Sequence, residues 1–349
     1  MYDIEFQLAV TKKTKYFKRL LDFKKYGLVN IKDKKVMVKL LPGIEDIPPE
    51  GIRDWPCDVD VIKNGFNSSH EVPKLYHYYA SLTEQAVSNA RWFAKIDDDS
   101  ITDVAGLVNN LDAYYDHEKD YYLITVFGTT AEEHKFDNTL ASALGYNWWF
   151  AHGEDFFPEH EVEMSIASQS TMRKIINNKI SQTFLEKRAK IGDGFSDVAL
   201  AYAARMCKIY CVKAPFITHE PNMANFSLLD GKLNHIHWVA HDVNHKLFHF
   251  FQNFINNTIC TKEQWKILEN KDFYIYDANN VPLEKIIFQR NGKIGLSEVY
   301  KFWYAKKDSL IIFNEDASKG NVMNYRNFGD AFFGKNISVR SGATDICIL

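Results

Sequence analysis

Three consecutive aspartates, Asp97-Asp98-Asp99, follow directly on the run Trp92-Phe93-Ala94-Lys95-Ile96. Adjacent carboxylates repel one another unless a cation or a set of hydrogen-bond donors lies between them. Hard divalent ions such as Mg²⁺ and Mn²⁺ take oxygen ligands, commonly one or two carboxylates plus the phosphates of a substrate. The run before the triplet is expected to be a strand. The aspartates then stand at its carboxyl end, the edge at which open α/β sheets bind ligands. The same residues would also make a plain turn with a capping aspartate. The apolar, aromatic strand before them and Lys95 two residues ahead of the triplet favour a site.

Other groups carry chemistry more ambiguously. Trp148-Trp149-Phe150 leads into His152-Gly153-Glu154-Asp155. Sugar rings offer C–H faces to aromatic planes and hydroxyls to carboxylates, so Trp148, Trp149, Glu154 and Asp155 suit a sugar-binding pocket. A tryptophan pair buried beneath a loop would look the same. His237, His241, His245 and His249 recur every four residues, with His235 just ahead. On one helix face they would suit a transition metal. The HExxH pattern is missing, and Phe248, Phe250, Phe251 and Phe254 favour an ordinary amphipathic helix with a histidine stripe. Asp197 opens the apolar run Val198 to Met206, which places a carboxylate at a helix N-terminus. Ser196 or Asp197 would equally cap that helix.

The elements that must hold these groups alternate between strand and helix. Strands are expected at Ile4–Val10, Val36–Leu41, Val59–Ile62, Trp92–Ile96 and Tyr121–Phe127. Helices are expected at Lys13–Phe23, Tyr76–Arg91 and, from a capping box of Ser100 and Asp103, through Leu111. Such alternation indicates an α/β layer architecture with a largely parallel sheet. After about Asn257 the texture changes to short aromatic and β-branched runs: FYIYD, KIIFQ, VYKFWYA, SLIIFN, ISVR and TDICIL, divided by turn-like clusters. These predict a small all-β unit, a sandwich or barrel, with domains at 1–257 and 258–349.

At 349 residues, two domains are the natural division. A net charge of −3 offers no basic field for a phosphate backbone, which argues against nucleic acid as a partner. The N-terminal stretch carries Asp3 and Glu5 where a secretory leader is basic, and no window suits a membrane-spanning helix. Five scattered cysteines suit a reducing compartment. Cys207 and Cys211 would share a helix face if that helix continues. A cytoplasmic protein is expected, with peripheral association at the inner face of an inner membrane compatible with the sequence. No G-x-G-x-x-G, Walker A or G-x-S-x-G sequence occurs.

Lys95-Ile96-Asp97-Asp98-Asp99 resembles the K-x-DDD segment of the fringe and β1,3-galactosyltransferase-like glycosyltransferases, inverting enzymes of the GT-A fold. Asp58-Val59-Asp60-Val61, followed by Phe66-Asn67-Ser68 and Pro73-Lys74-Leu75, is similar to a segment upstream of it in that family, with Asn67 at the family's aspartate. Glu163 to Ile175 resembles the opening of the family's second half but lacks its G-G-x-G-Y. Ser196-Asp197-Val198-Ala199-Leu200-Ala201 resembles E-D-V-x-x-G, with Ser196 replacing the first acid and Ala201 the glycine.

The resemblance implies a GT-A sheet and a metal-dependent transfer of a hexose or N-acetylhexosamine from a UDP-sugar to a glycan or lipid-linked glycan hydroxyl. Asp97 would contact the donor's ribose, Asp99 would bind Mn²⁺ or Mg²⁺ together with Asp97, and Asp98 would support both. Asp60 and Lys74 would complete the donor site. Asp197 would be the general base, with Asp193 of Gly192-Asp193-Gly194 as the second candidate. A C-terminal histidine, His237 with His235 or His241 as substitutes, would join the metal. Bacterial surface polysaccharide, capsule or lipopolysaccharide, is the expected product, and the β-rich domain is expected to bind glycan. Two other readings stay open: a glycan-binding protein whose α/β domain is degenerate, and another metal-dependent sugar-nucleotide enzyme such as a nucleotidyltransferase.

Overall fold

The computed structural model describes residues 1–63, 70–124, 164–194, 196–214, 216–218, 235–237, 259–277, 279–306, 309–313, 320–325, 331–334 and 337–341. The chain divides into two compact units, Met1–Glu220 with Gly231–His241, and Pro221–Asp230 with Asp242–Leu349. Among the described residues no helix is long and apolar enough to cross a membrane.

The first unit contains β1 (Tyr2–Ala9), β2 (Leu28–Val29), β3 (Val36–Leu41), β4 (Asp58–Val61), β5 (Ala90–Ile96), β6 (Ser100–Asp103), β7 (Tyr122–Ile124), β8 (Ser165–Ser168), β9 (Cys211–Lys213), β10 (Ile217–Thr218) and β11 (His235–His237). Seven of them form one sheet in the order β4-β3-β1-β5-β8-β7-β9. β4, β3, β1 and β5 run parallel, as do β7 and β9, whereas β8 is antiparallel to both its neighbours. Six of the seven strands therefore run in one direction, so the sheet is largely parallel, with β8 as its reversed strand. All four residues of β8 are buried, so its sequence lacks the alternation that marks a half-exposed antiparallel strand. A second sheet, β10-β11-β6-β2, starts just after the triplet, so the chain changes sheets across Asp97–Asp99.

Helices α1 (Thr14–Tyr26), α2 (Pro49–Ile52), α3 (Glu71–Ser81), α4 (Glu84–Val87), α5 (Val104–Tyr114), α6 (Gln169–Asn177), α7 (Lys179–Lys190) and α8 (Ser196–Met206) cover the main sheet. Side chains alternate along β1. Ile4, Phe6 and Leu8 join Leu20 and Phe23 of α1 and Leu107 and Leu111 of α5 in one core. The opposite face packs Phe93, Tyr122 and Ala167 against Leu75 and Tyr79 of α3 and the apolar side of α8. Each such fully buried large side chain contributes about 1.5–3 kcal/mol.

Three local expectations are corrected. The helix expected over 76–91 is two helices and part of a strand. Leu82 is extended, Thr83 restarts a helix by accepting the Ala86 N–H at 3.2 Å, and β5 begins at Ala90. Ser100 does not cap α5. It lies in β6 and donates to the Asp97 carbonyl at 2.7 Å, while Asp103 caps the helix by accepting the Gly106 N–H at 3.2 Å. Cys207 and Cys211 share no helix face, because α8 ends at Met206, Lys208 turns the chain at φ 63°, and Cys211 opens β9.

The second unit has α9 (Lys262–Leu268), β12 (Phe273–Asp277), β13 (Pro282–Phe288), β14 (Ile294–Gly295), β15 (Phe302–Lys306), β16 (Ser309–Phe313), β17 (Gly320–Tyr325), β18 (Ala331–Gly334) and β19 (Ile337–Ser341). The strands pair antiparallel in the order β14-β13-β12-β19-β18-β17-β16-β15. A bridge between Lys293 and Phe302 joins the two ends of that order, so the sheet curls back toward itself. Trp303 is fully buried, stacked 6.2 Å from Trp265 of α9 and edge-on to Phe288 at 5.3 Å. The TDICIL run lies outside the described residues.

Candidate active site

The triplet stands at the carboxyl end of β5, beside β1 in the middle of the sheet. Asp98 and Asp99 are buried. Both carboxylates meet Nη2 of Arg19, which comes from α1: Asp98 Oδ1 lies 2.6 Å away, and Asp99 Oδ2 is in closer contact. Burial pushes Asp98 up to about 8, because the nearby Asp99, Asp97 and Glu71 add to desolvation and together outweigh Arg19. Asp99 is raised as well, mainly by burial. Burial opposes the charge on Arg19, but Asp98 and Asp99 overcome it and raise that group. Nothing near residue 19 in sequence signals this role, since Arg19 lies on an ordinary amphipathic helix.

Asp97 turns the other way. Its Oδ1 lies 2.8 Å from Nζ of Lys95, the buried lysine two residues earlier in β5. Lys95 also lies 3.4 Å from Oε2 of Glu71, the first residue of α3. Burial works against its charge, yet the carboxylates of Asp97, Glu71 and Asp197 outweigh it and hold the ammonium well above its ordinary value. Asp197 is buried in the first turn of α8. One buried cation therefore lies among a carboxylate of the triplet and those at the starts of two helices.

Glu71 is a residue that sequence reasoning missed. It accepts a short hydrogen bond from the hydroxyl of Ser196. Ser196 is the position at which the E-D-V-like motif lacks its first acid, so α3 supplies in space the carboxylate that α8 lacks in sequence. The turn that makes this possible passes through Gly192 at φ 72°, a conformation glycine adopts without strain. The Asp193 carbonyl then accepts from the Val72 N–H at 3.2 Å. Asp193 is itself buried in that turn.

Residues 52–218 match the Fringe-like family. That segment, just under half of the chain, is similar to the Fringe-like glycosyltransferases. The chain's seven-strand sheet flanked by helices, with the triplet at the end of a central strand, is the kind of α/β sheet that the resemblance implied. No curated protein matches the chain. Among solved structures, galactosyltransferase LgtC in complex with donor and acceptor sugar analogues aligns over 75% of this chain and 99% of its own. The identity is 10% and the TM-score 0.44. An active-site mutant of LgtC aligns over the same shares at 10% identity and a TM-score of 0.43.

Within the matched segment, the structure brings Asp97, Asp98, Asp99, Lys95 and Glu71 together, with Asp197 close enough to act on Lys95. Lys74 is buried and donates to the Val10 carbonyl at 2.7 Å, at the end of β1, and burial lowers its pKa. Asp60 stands apart on edge strand β4, paired with Lys39 at 2.7 Å. Two strands, β3 and β1, separate it from β5, about 14 Å by ordinary strand spacing. The backbone of His237 pairs with Ser100, one residue past the triplet. The side chains of His235 and His237 lie outside the described residues, as do Asn67, Trp148, Trp149, Glu154, Asp155, His241, His245 and His249.

The donor set fits a divalent cation. Among the described residues, Asp97, Asp98, Asp99, Glu71 and Asp197 face Arg19, Lys95 and Lys74, an excess of two negative charges. Burial, with smaller repulsion from the neighbouring carboxylates, is what pushes Asp98 and Asp99 up. The described residues form no group of three or more side chains able to hold an ion unaided. Phosphate oxygens of a substrate would complete the ligand set, as is usual for Mg²⁺ and Mn²⁺ at carboxylate sites.

Proposed function

We propose that the protein is a metal-dependent, inverting glycosyltransferase that moves a hexose or N-acetylhexosamine from a UDP-sugar to a glycan hydroxyl. The observation that carries this reading is the buried Lys95, whose charge ties Asp97 of the triplet to Glu71 and Asp197. Asp99, with Asp97, would hold Mn²⁺ or Mg²⁺, and Asp98 would support them. When bound, the ion supplies compensation for charge developing on the departing diphosphate. Asp97 is the triplet's most exposed member and the one best placed to meet the ribose. Lys74 acts from beneath, as a fixed positive charge under the turn after β1. Asp60, on the edge strand, is assigned to the far, nucleoside end of the donor.

Asp197 is assigned as general base. The acceptor oxygen attacks the anomeric carbon from the face opposite the diphosphate. As the new C–O bond forms, the bond to the diphosphate oxygen breaks with its electron pair, and the hydroxyl proton passes to the Asp197 carboxylate. Lys95 then serves two purposes. It holds the Asp97 carboxylate by a direct ion pair, and it lowers the repulsion that would otherwise oppose a second carboxylate nearby. His237 remains the candidate third metal ligand, and Trp148, Trp149, Glu154 and Asp155 the candidate acceptor pocket. A bacterial surface polysaccharide assembled at the cytoplasmic face of a membrane is the proposed setting, with the β-rich unit binding glycan.

Calorimetry of UDP with and without Mn²⁺, on the wild type and Asp99→Ala, tests the donor site. Manganese-dependent binding that disappears in the variant supports the reading. Absence of UDP binding by the wild type under both conditions removes it.

A further inference from the structure

Arg19 lies outside the matched segment 52–218 and outside every motif in the sequence. Its guanidinium nonetheless occupies the heart of the site. Nη2 touches both Asp98 and Asp99, only 13% of the side chain is exposed, and the Tyr16 ring lies beneath it at 5.5 Å. The helix that carries it is anchored by Leu20 and Phe23, both fully buried, so the charge is held in place rather than delivered by a mobile arm. Nε is buried and makes no hydrogen bond among the described residues. Arginine presents five donors in a rigid planar fork suited to phosphate.

The charges around the triplet show what such an arginine does. A divalent ion entering alone is repelled by the Arg19 guanidinium and competes with it for Asp98 and Asp99. A diphosphate entering with the ion meets two positive partners, the ion and the guanidinium. Without Arg19 the triplet would hold the bare ion better and the diphosphate worse. Resting on the donor-site reading above, we propose that Arg19 is the triplet's resident counter-cation. It disfavours a bare divalent ion and favours the ion together with a nucleoside diphosphate.

The test measures two binding constants on the full chain by calorimetry: Mn²⁺ alone, and UDP at saturating Mn²⁺. Arg19→Met should bind Mn²⁺ alone several-fold more tightly than the wild type. It should bind UDP in Mn²⁺ on the order of tenfold more weakly. Arg19→Lys keeps the charge and loses the fork, so Mn²⁺ binding should stay within about twofold while UDP binding still weakens several-fold. Thermal unfolding of each variant shows whether it is folded. If Arg19→Met does not fold, the lysine variant decides. Two constants that weaken together, or that do not move in folded variants, overturn the proposal. A wild type that binds Mn²⁺ but not UDP refutes the donor-site reading itself, a result distinct from any change at Arg19.

Discussion

Replacing Asp98 by Asn should stabilise the first unit about three times as much at pH 8 as at pH 5, in the presence of a chelator. The carboxyl is raised from an ordinary 3.8 to about 8 by burial, with further repulsion from Asp99 and Asp97. A group raised in this way keeps its proton in the folded state at a pH where the unfolded chain has released it. Protonation therefore supports the fold at low pH. The penalty starts as pH rises past about 4 and is complete above about 8. The full shift corresponds to a ceiling of about 5–6 kcal/mol at ~1.4 kcal/mol per unit. Relaxation and water entry around a buried carboxylate reduce such penalties, so a gain of about 2–3 kcal/mol at pH 8 is the working figure.

Asn is nearly isosteric with the protonated carboxyl and still offers Arg19 an oxygen. The difference between variant and wild type thus isolates the ionisation of one group. The assay is denaturant unfolding of both proteins at pH 5, 6, 7 and 8, taking that difference at each pH so that other titrating groups cancel. Because the chain has two compact units, the comparison must use the transition that responds to the substitution. A difference that stays constant from pH 5 to pH 8 would refute the claim that burial raises the Asp98 carboxyl.

Three further outcomes follow from the same geometry. Lys95→Met leaves Asp97, Glu71 and Asp197 without their shared cation and should cost about 3–5 kcal/mol, read as a lowered melting temperature. Ser196→Glu alone sets a second carboxylate against Glu71 and should destabilise by about 1–2 kcal/mol. Joined to Glu71→Ser it should recover most of that loss, and a double-mutant cycle with no coupling would contradict the contact. Trp303→Ala removes the ring that meets Trp265 and Phe288 and donates to the Gln289 carbonyl at 2.9 Å. It should cost about 3–5 kcal/mol, followed by near-ultraviolet circular dichroism.

What could be read from the chain, and what could not, divides along sequence distance. The triplet is legible because three carboxylates after a buried strand form a local pattern, and the aromatic strands of the second unit are legible for the same reason. Arg19 reaches Asp98 and Asp99 across roughly eighty residues, and Glu71 reaches Ser196 across 125. Neither pair leaves a trace in the periodicity of its own helix. Lys74 is readable as a lysine of the family segment, yet its ammonium is engaged by the Val10 carbonyl, a partner that only the packing of α3 on β1 reveals. Ser100 illustrates the opposite error. Its spacing from Asp103 looks like a capping box, but the sheet claims the segment between them, and the hydroxyl turns back to the triplet's own backbone.

The position of α3 bears most directly on how the triplet and Asp197 are brought together, and its underside is unusually polar. Asp60, Lys39, Gln7 and Lys95 stand in register on β4, β3, β1 and β5, and therefore form one row across the sheet. α3 meets that face with matching groups: Tyr79 donates to Gln7 at 2.7 Å, and Tyr78 donates to Glu5, one step back along β1. An apolar interface would tolerate sliding of the helix by a fraction of a turn at little cost, whereas these hydrogen bonds are satisfied in a single register. That register places Glu71, at the first position of α3, against both Lys95 and Ser196. The polar row thus acts at a distance from the chemistry. By fixing where α3 begins, it fixes how the carboxylates at the starts of α3 and α8 share the lysine that also meets the triplet.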